Sequence, residues 1–230
     1  MAIKIENVVT PSAEQWEAII RGTRNPMNSW DKSDSVYGTR YHLYDGSDVF
    51  TKDGFCIGNN DLDLMKRLAK AGTDHRKFMR MIVVYADVTA PLYWWKEADT
   101  YKVGTVRNSC STMHKLTAKE FTLADFSCEK MHGNTKSVLN RVIEELNDIR
   151  ERYLNPDKYG LTDNAVKMVW YNLIQLLPSS YNQRATLMLN YEVLANIYHS
   201  RKNHKLDEWV EFCKWIETLP YSELITNENV

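Results

Sequence analysis

Cysteine is scarce in this chain, and the few cysteines that it has are far apart. The 230 residues include four of them, at positions 56, 110, 128 and 213, and no two form a C-x-x-C pair. A disulfide framework uses many cysteines in a short chain, and a zinc ribbon uses closely spaced pairs. The sequence therefore argues against both classes of protein, and we expect the thiols to be reduced.

The chain also lacks the histidine patterns that bind metal ions. Its six histidines form no H-E-x-x-H motif, and His199 and His204 are five residues apart. Side chains at that spacing do not share one face of a helix, so the pair is unsuited to ligating one ion. The sequence predicts no structural or catalytic metal.

An excess of charge of one sign is missing as well. The formal net charge is −1 and the pI is about 6.6. A protein with this balance has no long-range field that would gather nucleic acid or an acidic membrane surface. We therefore expect no nucleic acid partner, and any phosphate group that the protein binds must be held by local contacts.

Neither a leader nor a long apolar run is visible. The first residues, MAIKIENVVT, lack the basic start, apolar stretch and cleavage site of a secretory signal. No segment approaches the roughly 18 uninterrupted apolar residues that a membrane-spanning helix needs. These absences predict a cytoplasmic protein with no membrane partner.

What the chain does have is the composition of a folded domain, with 43% hydrophobic and 26% charged residues. Its length suits a single domain covering residues 1–230. Ser12 and Gly22 mark the expected start and end of a first helix, and Gly72 the end of a second. The segment KFMRMIVVYADVTAPL predicts a buried strand, and the polar stretch before residue 50 predicts a loop or a hairpin around Asp45-Gly46.

One segment near the C-terminus combines an apolar surface with several polar side chains. The stretch LMLNYEVLANIYHSR, positions 187–201, has the length of a buried helix. At about 100° per residue, a helix would place Asn190 and Arg201 on one stripe. Either Asn190 bonds to neighbouring backbone while Arg201 pairs with Glu192 or Asp207, or the stripe lines a pocket for an anionic or carbonyl-rich ligand.

With its flanks, this segment resembles a known C-terminal signature. LLPSSYNQRATLMLNYEVLANIYHSR is similar to the flavin-dependent thymidylate synthases, where Leu-Pro is followed by N-A-R-S-L-x-[NH]-F-x-x-L-R. Leu177-Pro178, Asn190, Leu194, Asn196 and Arg201 fall on this pattern without gaps. The resemblance implies that Asn190 contacts flavin and that Arg201 contacts the uracil ring of dUMP.

The central part of the chain resembles the same family. In APLYWWKEADTYKVGTVRNSCSTMH, Ala90-Pro91 anchors the match to the family's central motif, and Thr105, Asn108 and Ser111 match it if one residue is inserted. The similarity is clearest between positions 55 and 215. It implies an α/β (α+β) fold, with one mixed sheet and long helices, and a homotetramer whose active sites lie between subunits.

Several charged residues of the family's motifs are replaced. Thr100-Tyr101-Lys102 stands where the family has Arg-His-Arg, and Glu192 stands where the C-terminal motif has Arg. Each lost charged contact to a phosphate is worth roughly 1.5–3 kcal/mol. Arg107 and Arg80, with Lys115 and His114, are candidates to replace the lost charges, or else they are solvated surface groups.

The resemblance implies an enzyme that acts at C5 of a pyrimidine nucleotide, dUMP or an analogue. FAD would be its cofactor, with NADPH and methylenetetrahydrofolate as co-substrates. The implied catalytic residues are Arg201, Ser111 and Tyr101; the cofactor-binding residues are Asn190, Lys102, Asn196 and Thr105; and the substrate-binding residues are Arg201, Asn108, Ser111 and Arg107. The alternative is a nucleotide-binding protein on the same scaffold that has lost catalysis.

Overall fold

The computed structural model describes residues 3–42 and 48–227, and it confirms the predicted mixture of a sheet and long helices. The strands are β1 (Lys4–Val9), β2 (Val36–His42), β3 (Asp48–Cys56), β4 (Val83–Pro91), β5 (Val106–Ser109) and β6 (Asn182–Asn190). The helices are α1 (Ala13–Arg24), α2 (Asn59–Lys70), α3 (Leu92–Ala98), α4 (Gly133–Leu154), α5 (Asp163–Leu176), α6 (Tyr191–Arg201), α7 (Asp207–Glu217) and α8 (Glu223–Thr226). None of the helices in these ranges is both long and apolar enough to cross a membrane.

The strands form two sheets. Four of them make one sheet in the order β1-β4-β6-β5, and β2 pairs with β3 in a separate antiparallel ribbon. In that ribbon Val36 lies opposite Cys56 and His42 lies opposite Asp48. The predicted turn at Asp45-Gly46 lies outside the described residues, but the strands that precede and follow it pair as a hairpin would.

The chain divides into two compact units. The first unit comprises Met1–Glu6, Asp87–Thr100 and Arg107–Thr186, and the second comprises Asn7–Ala86, Tyr101–Val106 and Leu187–Val230. The prediction of one domain covering the whole chain stays a prediction.

The first unit is built around the pair of helices α4 and α5. Buried residues of α4 recur at three- and four-residue spacing, which places them on one face of the helix. Together with Leu173 of α5 and aromatic residues from the preceding loops they form one apolar core: Leu116, Phe121, Phe126, Leu139, Ile143, Leu146, Ile149 and Leu173.

The second unit is built around α6, which is buried on nearly all sides. Tyr191, Leu194 and Ile197 of this helix are each at most 3% exposed. The Tyr191 hydroxyl donates a hydrogen bond to the carbonyl oxygen of Pro220, which precedes α8. Burial raises the pKa of Tyr191 well above its ordinary value, so the phenol stays protonated in the core.

Two sequence predictions about helix ends need correction. Ser12 caps α1 as predicted, but Gly22 lies within the helix, which continues to Arg24. Residues 187–201 are not one helix, because β6 runs to Asn190 and α6 begins at Tyr191. The angular argument that placed Asn190 and Arg201 on one helical stripe is therefore wrong.

Candidate functional site

Asn190 is the last residue of β6 and immediately precedes α6. Its backbone is extended, with φ −122° and ψ 164°, and its side-chain oxygen accepts a hydrogen bond from the Val193 N–H at 2.9 Å. Asn190 is thus the N-cap of α6, a position where its amide satisfies a backbone N–H that has no partner within the helix. The residue is only 4% exposed.

The same side chain holds the loop that follows residue 100. The Asn190 amide nitrogen donates to the carbonyl oxygens of Val103 and Gly104, both at 3.4 Å. Gly104 has φ +71°, and a Cβ added there would lie 2.4 Å from the Asn190 nitrogen. Both the backbone angle and the close approach require glycine at this position.

Two predicted cofactor-binding residues lie in this loop. Lys102 is exposed, whereas the Thr105 hydroxyl is buried and has no hydrogen-bond partner within the described part of the chain. A buried hydroxyl without a partner is uncommon in folded proteins, because the desolvated group is not compensated. The Thr105 hydroxyl is therefore a buried polar group for which the described residues supply no partner.

Arg201 ends α6 and contacts two aromatic side chains. Its Nε donates to the Tyr101 hydroxyl at 2.9 Å, and its guanidinium carbon lies 5.0 Å from the centre of the Trp209 ring. The Tyr101 and Trp209 rings also meet edge to face, with centroids 6.0 Å apart. We call Tyr101, Arg201 and Trp209 the Arg201 cluster.

The cluster holds a half-buried guanidinium in a fixed orientation. Trp209 is 0% exposed, so its ring cannot move away without opening the core. Cation–π contact and a hydrogen bond at Nε both restrain the guanidinium plane. Sequence reasoning identified Tyr101 and Arg201 but missed Trp209, because a buried tryptophan in an amphipathic helix is indistinguishable from ordinary core.

Glu192, which replaces an arginine of the motif, has a defined structural role. Its carboxylate accepts hydrogen bonds from Arg76 Nε at 3.4 Å and from Arg80 Nε and Nη2. Burial opposes ionisation of Glu192, but the bonds from Arg80 and the charges of both arginines outweigh it and hold the pKa of Glu192 below its ordinary value. The alternative in which Glu192 pairs with Arg201 is therefore wrong, and Arg80 is committed to Glu192.

Three other predicted residues, Arg107, Asn108 and Ser111, belong to the first unit. Arg107 donates to both carboxylate oxygens of Asp99 at 2.7 and 2.6 Å and to Gln183 Oε1 at 2.6 Å. Its guanidinium carbon also lies 4.1 Å from the centre of the Trp95 ring. These contacts show that Arg107 is held within its own unit and is not a solvated surface group.

Ser111 and Asn108 lie near each other in sequence but differ in their contacts. The Ser111 hydroxyl accepts hydrogen bonds from the N–H groups of Met113 and His114 at 3.2 and 3.0 Å, so it stabilises its own turn. Asn108 is exposed on β5. In the second unit, Asn196 is exposed on α6.

The structure thus brings together some of the predicted residues. In the second unit Tyr101 and Arg201 are in direct contact, and Asn190 holds the loop that carries Lys102 and Thr105. Arg107, Asn108 and Ser111 form a separate group in the first unit. Among residues 3–42 and 48–227, no three His, Cys, Asp or Glu side chains are grouped in a way that could hold a metal ion.

Comparison with solved structures identifies the fold. Two crystal structures of the flavin-dependent thymidylate synthase ThyX from Helicobacter pylori, both with FAD and dUMP, match with TM-scores of 0.59 and 0.61. The matches cover 100% of this chain and 99% and 98% of those chains, at 14% identity in each case. No protein-family model and no curated protein sequence matches this chain. The chain therefore has the fold of the flavin-dependent thymidylate synthases.

Proposed function

We propose that this protein is a divergent flavin-dependent thymidylate synthase-like enzyme that acts at C5 of a pyrimidine nucleotide, dUMP or an analogue. The observation that carries the proposal is the Arg201 cluster. Arg201 occupies the last position of the C-terminal motif, and Tyr101 and Trp209 orient its guanidinium. The likeness of the fold over the full chain supports the same conclusion.

Arg201 would act by binding and polarising the pyrimidine ring. A guanidinium has five N–H donors in one plane, which suits a ring carbonyl oxygen and the nitrogen beside it. Negative charge that develops on that oxygen would be stabilised by a cation whose orientation is already fixed. Tyr101 would be a positioning residue, since it acts on the ligand through Arg201.

The predicted cofactor-binding residues fit a flavin in part. Lys102 supplies an exposed cation for a pyrophosphate, Thr105 supplies a hydroxyl that lacks a partner, and Asn196 supplies an exposed amide. When bound, reduced FAD would supply the hydride, with NADPH and methylenetetrahydrofolate as co-substrates. Asn190 does not fit a direct flavin contact, because its amide caps α6 and holds the loop.

The first test is whether the purified protein binds FAD and dUMP. We expect a visible flavin absorption spectrum after incubation with FAD, and dUMP binding by isothermal titration calorimetry. Because a charged hydrogen bond contributes roughly 1.5–3 kcal/mol, Arg201→Gln should weaken dUMP binding by at least about tenfold. Tyr101→Phe keeps the ring but removes the hydroxyl, and it should weaken binding by a smaller factor.

A matched control separates this effect from a general loss of charge. Lys202 is the neighbouring cation, and its amine lies 5.6 Å from the centre of the Tyr198 ring, outside the Arg201 cluster. Lys202→Gln should leave dUMP binding unchanged. Equal weakening by both variants, or the absence of any flavin uptake, would contradict the proposal.

A second candidate function is nucleotide binding without flavin chemistry. It is favoured by the commitment of Asn190 to its own chain and by the retention of a single cation in Thr100-Tyr101-Lys102. Binding to the folded state alone raises apparent thermal stability. If nucleotides raise the unfolding temperature while FAD has no effect, this second function replaces the first.

We also propose that the protein assembles as a homotetramer, as the resemblance implies. Light scattering coupled to size-exclusion chromatography measures the assembled mass directly. A mass of four 26.9 kDa chains would support the proposal, and a monomer at micromolar concentration would contradict it.

A further inference from the structure

A basic cleft lies in the second unit, between α2 and the segment that follows α1. It has a volume of about 770 Å³ and is open to solvent on one side. Its lining residues are Arg24, Met27, Ser29, Lys32, Asn60, Asp63, Leu64, Lys66, Arg67 and Lys70. It contains none of the residues of the Arg201 cluster.

Most charged side chains in this lining are positive. Lys66, Arg67 and Lys70 lie on one face of α2, at the three- and four-residue spacing that keeps helical side chains together. Lys32 belongs to the other lining segment, residues 24–32, and Asp63 is the one acidic residue in the lining. Because like charges repel, such a group raises the energy of the unliganded fold and favours an anion.

Three of these cations have no carboxylate of their own within the part of the chain that the structure describes. Lys32, Arg67 and Lys70 form no ion pair there, whereas the Lys66 amine lies 3.6 Å from the Glu223 carboxylate. The whole chain carries a net charge of only −1, so the excess of positive charge in the cleft does not reflect an excess over the whole protein.

Arg24 forms a rigid part of the cleft wall. It is 4% exposed, and its Nε pairs with Asp61, which is 1% exposed. Arg24 Nη1 also donates to the carbonyl oxygen of Ser29 at 3.1 Å. The pair joins the end of α1 to the first turn of α2.

Asp61 extends this link to the loop after the Trp30–Lys32 turn. Its second oxygen accepts hydrogen bonds from the hydroxyls of Ser33 and Ser35 and from the backbone N–H groups of Asp34 and Ser35. The two walls are therefore fixed relative to each other within the unit before any ligand binds, which reduces the entropy lost on binding.

We propose that this cleft binds a small polyphosphate, such as the phosphate chain of a phosphorylated metabolite. Lysine and arginine side chains on two lining segments can contact several phosphate groups at once. A volume of about 770 Å³ matches a small-molecule site and not the extended basic surface that nucleic acid requires. The inference does not depend on the proposed synthase function.

Titration calorimetry with inorganic tripolyphosphate tests the proposal on the intact protein. We expect tripolyphosphate to bind more tightly than orthophosphate, and its affinity to fall as salt is added. Lys32→Gln, Arg67→Gln and Lys70→Gln should each weaken binding by about tenfold. These side chains are exposed and unpaired within the described residues, and each substitution relieves repulsion between like charges. The variants should therefore unfold at the temperature of the unmodified protein or slightly above it.

The control variant is Lys136→Gln, which removes an exposed lysine of α4 in the first unit. It should leave tripolyphosphate affinity unchanged. The proposal is overturned if the unmodified protein does not bind tripolyphosphate, or if the control weakens binding as much as the cleft variants. It is also overturned if a single-stranded oligonucleotide of equal charge binds more tightly and loses that binding in the same variants.

Discussion

Replacing Glu192 by glutamine should substantially destabilise the second unit. The Glu192 carboxylate is buried at the start of α6 and binds Arg76 and Arg80. Glutamine has nearly the same shape and keeps one acceptor oxygen, so the substitution removes the charge without leaving a cavity. Arg76, whose side chain is only 10% exposed, would then be a buried cation without its carboxylate.

The size of the effect follows from the burial of the two arginines. Removing one partner of a buried ion pair costs about 3–5 kcal/mol, whereas an exposed pair contributes about 1 kcal/mol or less. The Arg80 side chain is 47% exposed, so its bond to Glu192 resembles an exposed ion pair. The bond of Arg76 to Glu192 is a buried ion pair. Because glutamine still accepts a hydrogen bond, we expect a loss of about 3 kcal/mol.

Urea unfolding at neutral pH measures this loss. With a slope of about 2 kcal/mol per molar urea, the midpoint of Glu192→Gln should fall by about 1.5 M. Glu144, an exposed residue of α4, supplies the control, and Glu144→Gln should change stability by less than about 0.5 kcal/mol.

The difference between the unmodified protein and Glu192→Gln should also depend on pH. The folded-state pKa of Glu192 is lowered from 4.5, so its stabilising contribution is complete above that pH. The contribution is lost as the pH falls from 4.5 through the folded pKa, and the two midpoints should converge there. Midpoints that agree at pH 7, or a difference that stays constant down to pH 3, would refute the argument.

Two further predictions concern backbone strain and thiol reactivity. Gly104→Ala should lower the free energy of unfolding by about 1–2 kcal/mol because of the positive φ, and by more because of the contact with Asn190. The control is Gly160→Ala, where φ is +62° and nothing lies within 4 Å of an added Cβ. In urea unfolding this control should lose only the about 1–2 kcal/mol that the positive φ costs. Equal losses would show that the contact with Asn190 is unimportant. Burial raises the pKa of the Cys213 thiol to about 12, so iodoacetamide at pH 8 should label exposed Cys110 first, as mass spectrometry of peptides would show. Faster labelling of Cys213 would contradict its burial.

The sequence predicted those elements whose signals are local. The first turn of α1 follows Ser12, whose side chain accepts the Gln15 N–H while the Gln15 side chain accepts the Ser12 N–H. Gly72 follows the end of α2 with φ +100°, as a glycine after a helix usually does. In each case the residues that define the boundary are adjacent to it in sequence.

The boundary at Asn190 could not be found in the same way. Residues 183, 185, 187 and 189 are buried alternately along β6, and the apolar residues of α6 follow at once. Leu187 and Leu189 fit the end of a strand and the start of a helix equally well, and neither Gly nor Pro marks the change. Asparagine is a strong N-cap residue, but a single such residue within an apolar run is a weak signal.

The candidate site is formed by contacts between residues that are distant in sequence, and the sequence alone does not show such contacts. Arg201 and Tyr101 are 100 positions apart, and Arg80 and Glu192 are 112 positions apart. Motif resemblance identified Arg201 without describing its surroundings. It could not indicate that Glu192 holds two arginines, because that pairing exists only in the folded chain.

The fit between Gly104 and Asn190 also constrains how related sequences can diverge. A larger residue at 104 becomes acceptable only if the backbone there leaves its positive φ and the side chain at 190 shortens, and shortening removes the amide nitrogen that bonds to the loop. Substitutions at the two positions should therefore be correlated across homologues, and variants that change one position alone should be rare. Such paired variation would mark this contact in an alignment of distant relatives, even where the rest of the motif has drifted.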